Sequence, residues 1–280
     1  MRKTKIVMLA RDCDSTTIVY NYLKQFYEFD TIVLEKTISK SIQFGRRTKL
    51  LGFWTATGQV AFMIIIFPLL KLFSQKRKNE IFNQFHLDLS PLPDELIKRV
   101  DKLSSPEARE LLKKMNPDLL LVNGTRIISK KTLECVSAPF MNIHVGITPL
   151  FRGVHGGYWA MATGRKELFG ITLHYVDPGV DTGGIIEQVF TQPGKRDNFY
   201  TYPYLEYAVC LPILKKVIEA FVSGQKPAIH QPVTNESALW FHPTIFQWLR
   251  NMNKTLIIVF LFAFAGLFSE LFCGTLCPGF

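Results

Sequence analysis

At 280 residues the chain can bury a substantial core, either as one large domain or as a medium domain with additions. Its apolar fraction of 48% is ordinary, while a formal charge of +10 suits an anionic lipid surface or nucleic acid. Five cysteines, scattered and odd in number (Cys13, Cys135, Cys210, Cys273 and Cys277), suggest neither a disulfide framework nor a four-thiolate metal site; Cys273 and Cys277 have no matching ligands nearby, so no metal is expected.

The start, MRKTKIVMLARD, has only about five apolar residues after its basic end, too few for the apolar core of a signal peptide. It reads better as a first buried strand. DSTTIVYNYLKQFYEF then has a helical pattern and DTIVLE a second strand, giving a β-α-β opening. The first strand runs into RDCDST instead of a Gly-x-Gly-x-x-Gly turn, which disfavours NAD.

From about 36 to 92 an insertion interrupts the alternation. Its middle, LLGFWTATGQVAFMIIIFPLL at 50–70, carries no ionised side chain and is long enough to cross a hydrocarbon core of about 30 Å. A crossing there would separate the first two strands from the rest, and the flanking RRTK and KLFSQKRK give no side preference. A helix or bent hairpin lying on or dipping into a bilayer, with Pro68 as the bend, keeps the sheet intact. An apolar cover packed on the domain or on a partner, and a true span, are the alternatives. The basic flanks favour lipid over RNA.

Further on, SSPEARELLKKM starts a helix and PDLLLVNG forms a buried strand. ISKKTLECV is a short helix, PFMNIHV a strand, and GGYWAMATG a helix stopped by Gly164. FGITLHYVD and GGIIEQVF supply two more strands, and YPYLEYAVCLPILKKVIEAFVSG a closing helix. The pattern predicts an α/β fold: an open, mostly parallel, Rossmann-like sheet with ligands beyond the carboxyl ends of its strands. The domain is placed at 1–240. Residues 241–280 form a hydrophobic tail with fifteen uncharged residues between Lys254 and Glu270, read as an anchor with its near end cytoplasmic. The expected location is the cytoplasmic face of a membrane.

Asn142 and His144 alternate with Ile143 and Val145, so both polar side chains point to one face at a strand end. A histidine there can exchange a proton near neutral pH, and an asparagine can donate to a developing oxyanion. On local evidence a structural histidine and a turn-capping asparagine are the preferred reading of the pair. Downstream, DPGVDTGG adds Asp177 and Asp181 in a glycine-rich loop that a flat ligand can approach.

In combination, NIHVGITPLFRG at 142–153, FGITLHYVDPGVDTGGII and LLLVNGTRIISKKTLECV resemble the folate-dependent formyltransferase family. The resemblance covers roughly 105 to 190. It implies 10-formyltetrahydrofolate as formyl donor, a primary amine as acceptor, and Asn142, His144 and Asp181 as the catalytic trio, with the Asn and a protonated imidazole stabilising the oxyanion. It also implies that Arg126, Ile127 and Ile128 line the folate pocket mainly through backbone, while the 177–181 loop, with Asp177 and Val180, closes on the pterin. The departures concern the acceptor: Gly146-Ile147-Thr148-Pro149 replaces Ser-Leu-Leu-Pro, and RDCDST replaces a Gly-Ser-rich loop. Arg152 serves either an anionic acceptor or the turn, and His174 faces either the ligand or a packed surface. Hydrolysis of 10-formyltetrahydrofolate, a non-catalytic membrane scaffold, and RNA binding by the basic insertion are the competing readings.

Overall fold

A computed structural model describes residues 4–252, so the apolar tail from 255 onward lies outside the described residues. The chain opens with β1 (Ile6–Arg11), α1 (Asp14–Leu23) and β2 (Phe29–Glu35). The insertion then folds as α2 (Lys40–Leu51), α3 (Phe53–Ala61), a π-helical turn at Phe62–Ile66, α4 (Phe67–Phe73) and α5 (Gln75–Phe85). The middle of the chain carries β3 (Ile97–Val100), α6 (Pro106–Met115), β4 (Leu119–Asn123), α7 (Lys130–Leu133), β5 (Phe140–Val145), β6 (Arg152–Gly153) and α8 (Gly156–Thr163). β7 (Gly170–Tyr175), β8 (Ile185–Phe190), α9 (Tyr202–Val222), β9 (Leu239–Trp240) and α10 (Ile245–Asn251) complete it.

Seven strands form one sheet in the order β3-β2-β1-β4-β5-β7-β8, parallel through β5 and antiparallel at β5–β7 and β7–β8. The central strands are continuous apolar runs because helices cover both faces: all five residues of β4 are buried. The strand order reverses direction between β1 and β4, and the cavity described below opens beyond the carboxyl ends of these strands.

The insertion is the crossover from β2 to β3, which are hydrogen-bonded neighbours from Ile32–Ile97 to Glu35–Val100. A membrane crossing within it would pull that pair apart. Phe53–Phe73 is nevertheless long and apolar enough to span, with a mean hydropathy of 1.8. One stripe, including Ala56, Phe62, Leu70 and the α5 residue Ile81, is buried in the main core, where Phe62 meets Phe199 edge-on at 4.9 Å. The opposite face is exposed, Trp54 by 84%. The irregularity precedes Pro68: proline lacks the N–H that would continue the α ladder, and the preceding turn widens to a π-helix.

Two elements escaped the sequence reading: the edge strand β3, and the two-stranded parallel pair β6–β9. The latter brings Trp240 onto Trp159, with ring centroids 4.5 Å apart. α10 follows, with Thr244 against Gly58 and Trp248 buried near Phe62. The folded part therefore continues past the expected boundary at 240.

One core group works against stability. Glu206 on α9 is fully buried, neither carboxylate oxygen has a hydrogen-bond partner, and burial pushes its pKa well above the usual carboxylate range. The unfolded chain loses this proton near the ordinary value while the folded chain keeps it, so stability falls as pH rises above that value. Glu206→Gln should remove a slope approaching about 1.4 kcal/mol per pH unit and raise the melting temperature at pH 8. Denaturant titrations at pH 5 and pH 8 check it, and an unchanged slope would refute the assignment.

Candidate active site

β5 and β7 run antiparallel with Asn142 opposite His174 and His144 opposite Thr172. The two-residue period places Asn142 and His144 on the same face, and cross-strand pairing adds His174 to it. The loop after β7 returns Asp181 to this cluster in a left-handed conformation, φ 51°. The resulting group is compact. Asn142 Nδ2 lies 3.0 Å from His174 Nε2 and donates to Asp181 Oδ1 at 3.4 Å. Asp181 Oδ2 accepts the Gly153 N–H at 2.9 Å and lies 3.5 Å from His144 Nδ1.

The backbone contacts decide the histidine tautomers. His174 Nδ1 sits 2.8 Å from its neighbour's carbonyl, Tyr175 O, so that nitrogen carries the hydrogen and Nε2 accepts from Asn142. His144 Nε2 sits 2.7 Å from Phe151 O, so Nε2–H donates there and Nδ1 presents its lone pair towards Asp181. Burial lowers the His144 pKa below its ordinary value, and the Asp181 charge offsets this only in part. This corrects the expectation of a protonated imidazole: in the free site His144 is neutral. Burial acts to raise the pKa of Asp181, but His144, His174 and the Gly153 N–H together hold it down to about 2. Asp181 is the ionised member of the pair.

Gly146 explains one departure from the family pattern. Its φ is 143°, and a Cβ there would stand 2.6 Å from Phe151 O and 3.0 Å from both His144 Nε2 and the Gly156 Cα. The turn brings Gly146 against Gly156, at the start of α8, and leaves no room for a serine beside the histidine. Arg152 donates to Val180 O at 3.3 Å, fastening the 177–181 loop.

Asn142, His144, His174 and Asp181 border one cavity of about 790 Å³. Arg126, Ile127 and Ile128 line it from the exit of β4, and Asp177 and Val180 from the loop. The Ile128 side chain is turned into the core while Ile127 is 61% exposed, so only Ile127 offers an apolar side chain here. Arg126 is held by an ion pair to buried Glu35 at 3.0 Å, and the same carboxylate accepts its backbone N–H. Asp177 accepts from Gly179 N–H and Thr182 Oγ1, which shapes the loop. His174 is the residue whose place sequence reasoning left open. Its spacing in GITLHYV puts it on the same face as Thr172, but only the β5–β7 register shows that this face meets Asn142. His155 and His242, both half-buried and bonded at 2.9 Å, also reach the cavity without having been anticipated. No group of three metal-ligating side chains occurs among the described residues.

Residues 71–194 match the formyl transferase family. This matched segment, which holds Asn142, His144 and Asp181, is related to the formyltransferase superfamily. It is 31% identical over 134 residues to a methionyl-tRNA formyltransferase of Myxococcus xanthus, covering 47% of this chain and 42% of that protein. To the methionyl-tRNA formyltransferase of Azobacteroides pseudotrichonymphae it is 30% identical over 158 residues, covering 55% and 48% respectively. The chain thus spans about half the length of the curated relatives it matches. Among solved structures, a phosphoribosylglycinamide formyltransferase from Anaplasma phagocytophilum superposes with a TM-score of 0.54 at 14% identity, over 86% of this chain and 99% of that one. A 4-N formyltransferase from Francisella tularensis gives 0.52 at 15% identity, over 84% and 75%. These likenesses show that the superfamily's fold extends well beyond the matched sequence.

Gly146→Ala should displace His144 and lower stability by roughly 2 kcal/mol or more, as expected for a side chain forced into an unfavourable φ against packed backbone; a thermal melt with parent-like midpoint would contradict it. Burial and the charge of Arg47 lower the His155 pKa to about 4, whereas in the unfolded chain it titrates near 6.5. Its contribution is fully present above pH 6.5 and is lost as pH falls towards 4, by roughly 3 kcal/mol. His155→Asn should flatten that acid limb in denaturant titrations.

Proposed function

We propose that the chain transfers a formyl group from 10-formyltetrahydrofolate to a primary amine. The observation that carries this reading is the convergence of Asn142, His144 and Asp181 in one cavity wall with the 126–128 and 177–180 segments. The cavity has the volume of clefts that hold cofactor-sized molecules. Arg126 Nε, buried and without a partner, fits a polar ligand group there. The folate supplies an activated formyl carbon.

The protein's part is to align, to stabilise charge and to move one proton. Asn142 is held at the cavity wall by His174, and the N–H it gives to Asp181 at a long 3.4 Å is the one that can be released to the oxygen on which negative charge develops. His144 enters the reaction neutral. Its Nδ1 lone pair, beside ionised Asp181, takes the proton shed by the attacking amine, and the imidazolium so formed gains the charge of Asp181 at 3.5 Å. The acceptor amine is neutralised by amide formation.

The insertion's exposed apolar face and its basic flanks support the further reading that the protein sits on a membrane surface, with the insertion lying on the bilayer.

Asn142→Ala and Asp181→Asn should each lower kcat by about 10² to 10³, measured as loss of 10-formyltetrahydrofolate in the presence of an amine-rich metabolite extract. In Asp181→Asn the imidazole of His144 loses the charge that raises its proton affinity, so its NMR titration should move to still lower pH. Undiminished turnover in both variants would overturn the assignment, and full-rate formate release without any amine would make water the acceptor.

A further inference from the structure

The cavity has a second charged wall apart from the catalytic cluster. Arg11, at the end of β1, and Arg46, in α2, both line it, and neither has a carboxylate partner among the described residues. Most other arginines of the domain are engaged: Arg126 with Glu35, Arg77 with Asp197, Arg99 with Asp12. Arg47 lies near both rings of the half-buried His155–His242 pair and Arg11 near His242, where their charge works against protonation. Within the cavity the carboxylates are Asp177 and Asp181, and both are already satisfied at the catalytic side. Arg11 and Arg46, lining the cavity without carboxylate partners, form an end suited to a phosphate-type anion.

The helix that supplies Arg46 also leads out of the cavity. α2 turns at Gly52 into α3, and the surface so begun exposes Leu50, Phe53, Trp54, Ile64 and Leu72. Exposed Lys49, Lys71 and Lys76 flank it along the chain. Apolar side chains flanked by cations complement an anionic bilayer. α10 packs on the buried side of α3, and the described chain ends just after it at Met252, with TLIIVFLFAFAGLF following in the sequence from 255.

We propose that the acceptor is a membrane lipid bearing a primary amine close to a phosphate ester. Its apolar part stays in the bilayer under α3 and α4, Arg11 and Arg46 hold the phosphate, and the amine reaches Asn142 and His144. This inference rests on the formyl-transfer reading. The amine nitrogen bonds to the formyl carbon, the bond from that carbon to the donor nitrogen breaks, and the proton shed by the amine passes through His144 to the donor nitrogen. A soluble amine with a phosphate has the same reactive chemistry; the basic apolar surface beside the cavity selects the lipid source.

The test uses the full chain and formyl-labelled donor in three arms: vesicles of phosphatidylethanolamine and phosphatidylglycerol, vesicles of a bacterial total lipid extract, and phosphoethanolamine in solution. Mass spectrometry follows the label, and sedimentation follows vesicle binding. Expected are a formylated lipid in at least one vesicle arm and sedimentation with the vesicles. Arg11→Ala with Arg46→Ala should raise KM for the lipid amine about tenfold, more than it lowers kcat, with vesicle sedimentation kept. Trp54→Glu should lower vesicle sedimentation and lipid transfer together, in a protein whose thermal melt shows it folded. Label passed to phosphoethanolamine but to no lipid would overturn the inference and leave formyl transfer standing. Donor neither bound nor consumed in any arm would overturn the formyl-transfer reading, and this inference with it.

Discussion

The carboxylate of Asp181 ties together three separate pieces of chain. It accepts the Gly153 N–H from the β6 turn, it faces His144 on β5, and it meets Asn142 and His174 across the β5–β7 ladder. Ionised in a buried setting, it must have donors and positive partners around it, and each of these contacts meets part of that requirement. The left-handed backbone at Asp181, the fastening of Val180 by Arg152 and the close Gly146–Gly156 approach all serve to bring that carboxylate to that place. Remove the charge and the loop, the turn and the histidine lose their common reference point.

The electrostatic plan is a separation of roles. At one side of the cavity the Asp181 carboxylate, held ionised, faces a His144 ring whose proton affinity burial lowers. At the other, Arg11 and Arg46 line the wall together with His155 and His242. A reaction that creates a transient oxyanion and moves one proton would be served by the first arrangement, and recognition of an anion by the second. Neither arginine pairs with Asp181 among the described residues, so its charge stays available to His144.

Much of this was legible in the sequence, for identifiable reasons. Alternation in FMNIHV fixes which side chains share a face, and the uninterrupted apolar run LLLV marks a strand covered on both sides. Asn142, His144 and Asp181 could be named because their segments resemble a known family, and the structure brings those residues together in space. Three things could not be read. The short strand IKRV has two basic residues in four and no apolar stripe, since an edge strand needs none. The β6–β9 pair joins segments far apart in sequence with two residues each, below any periodic signal. The charge state of His144 depends on the balance between burial and a carboxylate 3.5 Å away, a quantity that spacing alone does not contain.

The insertion presents a different matter. Because it is the β2–β3 crossover, its two ends are fixed by adjacent strands, and because it lends Phe62, Leu70 and Ile81 to the main core it cannot melt without opening that core. Closing a long loop costs little more than closing a short one, so a crossover can grow into a surface of its own without loosening the sheet. The outcome is a single folding unit with two kinds of exterior. Attachment to and release from whatever the apolar face touches must therefore occur as rigid docking of an already folded body, with no unfolding step available to regulate it.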